Sequence, residues 1–325
     1  MQLSEQQREQ PRPALSNLTE FYARAEQLSL TPGWIERERP VMGSQARSRF
    51  KPQHWSYREA HDALAAAGDL IAVEFAERRN LILRNALPGN DWATSRTLIC
   101  AYQMILPGES APSHRHTSNA LRAIIEGNGA YSIVDGMKMP MDAGDVVLTP
   151  GGHFHGHGHD GDEPAYWLDC LDVPLSYLLE PMYFQPHPQR YEPVLGVVSE
   201  SPYRFSRDMI ARRLDEAKPD PDQRHGARII LPTPSMPAIG LAVERLENGP
   251  AKQAKRSSAN RVFMVMAGTG RSTIEEDILH WTVGDTFLAP SANWVWHHSD
   301  GDAVLLEMTD EPLIKFANHY WEEFR

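Results

Sequence analysis

The sequence predicts an all-β protein. Two small jelly-roll barrels of the double-stranded β-helix kind stand in tandem, with helices ahead of the first and a helical connector between them. Three observations predict this. After Gly68 the chain turns into short segments rich in β-branched and aromatic residues, separated by Gly, Pro and Asp, the texture of antiparallel sheets. That texture comes in two blocks, parted by a stretch with several prolines from Pro181 to Pro202. The blocks also repeat each other. Asn119-Ala-Leu-Arg-Ala-Ile-Ile-Glu-Gly-Asn-Gly129 aligns without a gap on Asn260-Arg-Val-Phe-Met-Val-Met-Ala-Gly-Thr-Gly270, and Ala143-Gly-Asp-Val-Val-Leu-Thr-Pro150 aligns on Val283-Gly-Asp-Thr-Phe-Leu-Ala-Pro290. A repeat of this length points to duplication of one barrel.

In chain order, the first fifteen residues are polar and proline-interrupted and read as an arm. Leu18, Phe21, Tyr22, Ala25 and Leu28 recur at helical spacing up to Leu30, and Thr31-Pro32-Gly33 stops the pattern. Ser56 caps a second helix through Ala60, Leu64 and Ala67, with Gly68 expected just past its end. Strands follow through Leu81 to Leu83, Leu98 to Ile105, Leu121 to Glu126, Ala130 to Val134, Asp145 to Leu148 and Tyr166 to Leu171, with Asn128-Gly129 and Asp135-Gly136 as hairpin turns. The proline stretch and a helical pattern from Met209 to Leu214 read as a connector. The second run of strands takes Ile229 to Leu231, Ile239 to Glu244, Arg261 to Met266, Ser272 to Glu275, Asp285 to Ala289 and Ala303 to Thr309. The expected division is 1–95 for the arm and helices, 96–176 for the first barrel, 177–225 for the connector and 226–325 for the second barrel.

Composition narrows the function. The 325 residues hold 32 Lys+Arg against 43 Asp+Glu, a formal net charge of −11. Nucleic acid and anionic membranes need a dense basic surface, so neither is an expected partner. The longest apolar runs, such as Val262 to Ala267, are too short to span a bilayer, and the polar start MQLSEQQREQ lacks an apolar signal core, so a cytoplasmic protein is expected. Cys100 and Cys170 read as buried small apolar residues. Of the 14 histidines, six fall at 114, 116, 153, 155, 157 and 159.

Ligands on a β scaffold must converge from different strands, and a His-x-His pair on one strand turns both imidazoles to the same face. His114-Arg115-His116 is such a pair. The tract His153-Phe-His-Gly-His-Gly-His159 puts four histidines on one face if extended, and one of them can give a divalent ion its third nitrogen. Read alone, that tract is equally a His/Gly-rich loop that collects stray metal. Spacing decides between the two. Gly108, five residues, then His114-x-His116 form the first cupin motif, and Gly144, five residues, Pro150-x-Gly152, two residues, then His155 form the second. The glutamate that usually follows the His pair is absent, the chain reading Asn119-Ala120-Leu121, so the site holds three histidines and no protein charge.

With these motifs the sequence resembles the bicupin gentisate and salicylate 1,2-dioxygenases, ring-cleaving enzymes with non-haem iron. The likeness runs through His114-Arg-His-Thr-Ser-Asn-Ala-Leu-Arg122, Leu148-Thr-Pro150, His155-Gly-His157 and Trp167-Leu-Asp-Cys-Leu-Asp-Val-Pro174, and in weaker form over most of the chain. It implies Fe(II) on His114, His116 and His155 of the first barrel, with O₂ as co-substrate. His157 and Asp169 would lie behind the ligands or in the pocket, and Arg122, Gln103 and one of Arg78 and Arg79 would contact substrate. The implied reaction opens the ring of gentisate, salicylate or a substituted salicylate between the carboxyl-bearing and hydroxyl-bearing carbons, in aromatic catabolism by a homotetramer. Physics agrees with this carry-over. Three neutral imidazoles leave the ion its full charge for an anionic chelating substrate, and an arginine can grip a carboxylate as a bidentate fork.

Two rivals come from other classes, the first of them using the same three histidines. One is an isomerase or hydrolase on zinc, manganese or nickel; the other is a non-catalytic binding cupin, for which DNA-contacting segments would be expected and none is evident. Gly268 to Thr273 faintly resembles a phosphate loop but lacks the lysine and falls at an expected turn. In the second block Lys255 and Ser257 replace the His pair, and His297-His298 fall near the third-ligand position, so this barrel is expected to be structural. The aromatic C-terminal run Phe316 to Phe324 suits an interface or a cap on the second barrel.

Overall fold

Period-two burial marks the barrel walls. Ala130–Val134 alternates buried and half-buried residues, and its counterpart in the repeat, Gly270–Ile274, shows the same alternation. The computed structural model describes residues 17–34, 46–72, 79–218, 220–222 and 224–325. The chain separates into two units, residues 1–46 and residues 47–325. The expected N-terminal arm and Arg78 lie outside the described residues.

Among the described residues there are five α-helices: α1 (Leu18–Gln27), α2 (Tyr57–Leu70), α3 (Val173–Leu178), α4 (Arg207–Glu216) and α5 (Glu311–Phe316). In the first unit, α1 is capped by Asn17 and ends before the expected Leu30, with Phe21 against Trp34. In the second unit, Ser56 caps α2 as expected, but Gly68 lies inside the helix rather than past its end. Its missing side chain lets the helix approach Met104 and Leu106, since a Cβ there would fall 2.9 Å from the Met104 methyl. The short helices α3 and α5 were not foreseen. Each carries its proline, Pro174 or Pro312, in the first turn, where a proline starts a helix rather than breaking it. None of the described helices is long and apolar enough to cross a membrane.

The fold is the expected pair of double-stranded β-helices. One sheet of the first barrel runs, neighbour to neighbour, Arg204–Phe205, Val146–Thr149, Ala120–Glu126, Ala165–Leu171, Ile99–Ile105 and Arg79–Ile82. The other runs Phe184–Pro186, Ser110–His116, His155–His159, Ala130–Val134, Met137–Pro140 and Gly196–Val197. The second barrel repeats the plan, with one sheet running Gln53–Trp55, Thr286–Ala289, Arg261–Ala267, Ala303–Thr309, Gly240–Leu246 and Ala227–Leu231. Between the barrels lies a shared core in which Tyr102, Met104, Leu168 and Cys170 belong to the same cluster as Val262, Met264, Leu306 and Met308. Cys100 and Cys170 face each other across two strands of this core as buried thiols.

The barrels are interlocked. Gln53–Trp55 pairs with the second barrel at Thr286–Ala289, yet α2, which follows it, packs on the first barrel. Conversely, Arg204–Phe205 pairs with the first barrel at Val146–Val147, and α4 then lies along Ala227–Leu231 of the second, where Arg213 bonds the Ile230 carbonyl at 3.0 Å. The repeated Gly-Asp turn makes each crossing. Asp285 Oδ1 accepts from the Tyr57 amide at 2.8 Å, and Asp145 Oδ1 accepts from the Arg207 amide at 2.9 Å. The expected connector of residues 177–225 does more than connect, because Phe184–Pro186, Gly196–Val197 and Arg204–Phe205 are all stitched to the first barrel.

Candidate active site

Two neighbouring strands deliver three histidines to one point. Ser110–His116 and His155–His159 run antiparallel with His114 directly opposite His155, and a register shift between Ala111 and His114 interrupts the ladder just before the pair. Such an irregularity re-aims the residues that follow it. The ring centroids of His114 and His116 lie 4.5 and 4.8 Å from that of His155. The ligand atoms of the three lie within 4.8 Å of one another, and among the described residues no other group of His, Cys, Asp and Glu is so arranged.

Each ring is pinned from behind. Nδ1 of His114 lies 3.1 Å from the Pro112 carbonyl, Nδ1 of His116 lies 2.7 Å from that of Ser118, and Nδ1 of His155 lies 3.0 Å from that of His153. A carbonyl only accepts, so each Nδ1 carries the hydrogen and each Nε2 keeps its lone pair, the form in which imidazole binds a metal. His155 Nε2 is buried and has no hydrogen-bond partner. Such burial costs about 1–3 kcal/mol unless something takes the lone pair. Burial first, then the charges of Arg122, His114 and His116, push the His155 pKa well below its usual value, so the ring is neutral near pH 7. A divalent cation fits this donor set.

Beside the triad lies a second polar layer. Ala120–Glu126 brings in Arg122, whose Nε lies 3.3 Å from Asp169 Oδ1 and whose Nη1 donates to Thr149 Oγ1 at 2.5 Å. Asp169 also accepts from Gln103 Nε2 at 2.5 Å and from Trp167 Nε1 at 2.8 Å. The carboxylate thus accepts two hydrogen bonds and pairs with the Arg122 guanidinium, and it orients Arg122 and Gln103. Gln103 Oε1 is buried without a hydrogen-bond partner. His157 Nδ1 lies 2.8 Å from Ser132 Oγ, with its ring 5.8 Å from that of His155.

The structure therefore brings His114, His116, His155, His157, Arg122, Gln103 and Asp169 into one region. Arg79 lines a cavity together with His157, and its guanidinium bonds Glu109 through two nitrogens at 2.7 and 2.8 Å and the Ile71 carbonyl at 2.9 Å. Sequence reasoning missed Ser132, Thr149 and Phe184. Phe184 stacks on His114 with centroids 4.7 Å apart, from an edge strand too short to leave a period. Ser132 was legible through its repeat partner Ser272, which meets His297 at 2.7 Å in the same way.

That pairing corrects the reading of the second barrel. His297 matches His157, not the third ligand, whose register is taken by Val295 opposite Lys255. Lys255 bonds Glu322 at 3.1 Å, and Arg228 bonds the buried Glu307 at 2.9 Å. Burial first, helped by the charges of Arg261 and Arg228 and opposed by Glu307, holds His297 neutral with a pKa pushed down to about 3.

A cupin domain model matches residues 101–171. The chain is 32% identical over 335 aligned positions to gentisate 1,2 dioxygenase 1 of Aquipseudomonas alcaligenes, covering 94% of this chain and 96% of that one. It is 30% identical to a 5-aminosalicylate 1,2-dioxygenase of Comamonas, with coverage of 95% and 90%. Among solved structures, salicylate 1,2-dioxygenase of Pseudoaminobacter salicylatoxidans with gentisate superposes with a TM-score of 0.88 at 25% identity, covering 98% of this chain and 96% of that one.

Proposed function

The chain belongs to the bicupin family of gentisate and salicylate 1,2-dioxygenases and is a ring-cleaving dioxygenase, and from this premise we propose that it opens a 2-hydroxybenzoate between its carboxyl-bearing and hydroxyl-bearing carbons, with Fe(II) on His114, His116 and His155. The observation that carries the proposal is the all-nitrogen triad, with three Nε2 atoms presented by three carbonyl-bound Nδ1 atoms beside a buried arginine. When bound, iron supplies a Lewis-acidic centre that accepts the carboxylate and phenolic oxygens and brings O₂ to the same point.

The chain's own residues do the rest. Arg122 takes the substrate carboxylate, and Asp169 orients it. Gln103 Oε1, buried and otherwise without a hydrogen-bond partner, accepts from a ring hydroxyl. Ser132 Oγ donates to Met141 Sδ at 3.0 Å and so accepts from His157 Nδ1–H, which leaves Nε2 basic and able to take the phenolic proton. Of the arginine pair, Arg79 is committed to Glu109, which makes Arg78 the member to test. The chemistry belongs to residues 96–176. Residues 177–225 join them to 226–325, a barrel without a ligand set that supports a homo-oligomer, a tetramer by family resemblance.

A donor para to the phenolic oxygen makes the ring easier to oxidise. Two well-covered relatives are named for such substrates, gentisate and 5-aminosalicylate. Gentisate is therefore the first substrate to test. Iron-loaded protein is expected to consume O₂ and develop ring-opening absorbance with gentisate and to do so more slowly with salicylate. Absence of O₂ uptake across a panel of 2-hydroxybenzoates would overturn the proposal.

A further inference from the structure

The second barrel acts as an internal control for the first. Features kept in both barrels do not set the first apart from the second. Asn119 grips Asp172 as Asn260 grips Asp310, and Ser132 meets His157 as Ser272 meets His297. Two positions instead change together. Where the first barrel has Arg122 and Thr149, the second has Phe263 and Ala289. The match is one of position as well as alignment, since Ala120 stands opposite Thr149 and Arg261 opposite Ala289 in the same sheet register. The threonine hydroxyl goes where the arginine goes.

We infer that Thr149 is the positioning residue of Arg122, fixing its guanidinium for a substrate carboxylate. This rests on the proposed reading of Arg122 as the carboxylate-binding residue. Ala120–Glu126 lies between Val146–Thr149 and Ala165–Leu171, so the guanidinium is held from both sides, by Thr149 Oγ1 at Nη1 and by Asp169 Oδ1 at Nε. The two holders differ in kind. Asp169, an ion-pair partner, partly cancels the charge it holds, whereas the neutral Thr149 hydroxyl accepts a hydrogen bond and leaves the charge for the substrate. Thr149 is wholly buried, so water cannot replace it when it is lost. An arginine ordered before binding spends less entropy when substrate arrives.

Thr149→Val keeps shape and burial and removes only the acceptor. KM for the 2-hydroxybenzoate turned over by the parent enzyme is expected to rise about tenfold or more, kcat to fall by a smaller factor, and iron per chain to stay at the parent value. Thr149→Ser should restore KM. Inhibition by 2-hydroxybenzamide, which lacks the carboxylate, should be equal in parent and T149V. An unchanged KM in T149V, with Arg122→Gln raising KM, overturns the inference and spares the reading of Arg122. An unchanged KM in R122Q overturns both. Equal weakening of acid and amide would also overturn it, as a general packing effect. If T149V folds poorly, Thr149→Ala, the residue the second barrel carries at this place, makes the same comparison.

Discussion

His155 gathers the argument at the scale of single residues. Its Nδ1 is spent on a carbonyl, its Nε2 is buried with no hydrogen-bond partner, and its pKa is driven down by burial and neighbouring charge. His155→Ala should reduce iron per chain to near zero by plasma emission, with turnover lost in parallel; a fully active, iron-free variant would remove the metal from the mechanism. A second residue predicts behaviour against pH. Burial alone would raise the Glu307 carboxyl, but Arg228, Lys255 and Arg261 outweigh it and pull its pKa down to about 2. A depressed acid stabilises the fold above its unfolded value near 4.5, and that contribution is lost as pH falls toward 2. Glu307→Gln should therefore flatten the fall of melting temperature between about pH 4.5 and 2, read by circular dichroism. His114, His116 and His155 were legible because metal geometry constrains spacing. The partner of Arg79 and the register of His297 were not, since a guanidinium's partner and a strand's register are settled by residues far away in the chain.

Elements repeat the lesson. The long central strands, from Ile99–Ile105 to Ala303–Thr309, show in the sequence because burial on both faces makes them largely apolar, with Gln103 and Glu307 as buried exceptions. Phe184–Pro186 and Glu322–Phe324 do not, being three-residue edges whose pairing is decided by the strand they meet. The turn Pro150-Gly151-Gly152 shows how tightly an element can bind a site. The Gly151 amide donates to Asn119, the Gly152 amide donates to the His116 carbonyl, and a Cβ on Gly151 would fall 2.1 Å from the Thr117 carbonyl oxygen. Backbone cannot yield as a side-chain tip does. Gly151→Ala is expected to cost about 1–3 kcal/mol of stability and to weaken iron retention against a chelator, because His116 and His155 flank the displaced turn.

Across the whole molecule the interlock makes the two barrels one folding unit. Calorimetry should show a single transition for both. Asp285→Ala, placed in the second barrel, removes the acceptor for the Tyr57 and Thr282 amides and the partner of His54. It should lower stability by about 2–4 kcal/mol and make the first barrel surrender its iron at a lower temperature. Two independent transitions, with iron release unmoved, would show that the barrels do not share their stability. The repeat was visible in sequence, but the crossing of its strands was not, because Trp55-Ser56 and Phe205-Ser206 are too short a likeness to reveal which barrel each would join.

The crossing also sets a timetable. Gln53 pairs with Leu288, so the strand that opens the second unit waits for a partner made about 230 residues later. At about 5–20 residues per second on a ribosome, that is an interval of roughly ten to fifty seconds. During it α2 can settle on the newborn first barrel while Gln53–Trp55 hangs beside it as an unpaired edge. Completion of this pairing is therefore a late event relative to the synthesis of Gln53, and the nascent chain carries an open strand that holdase chaperones, or a neighbouring chain on the same message, can reach first.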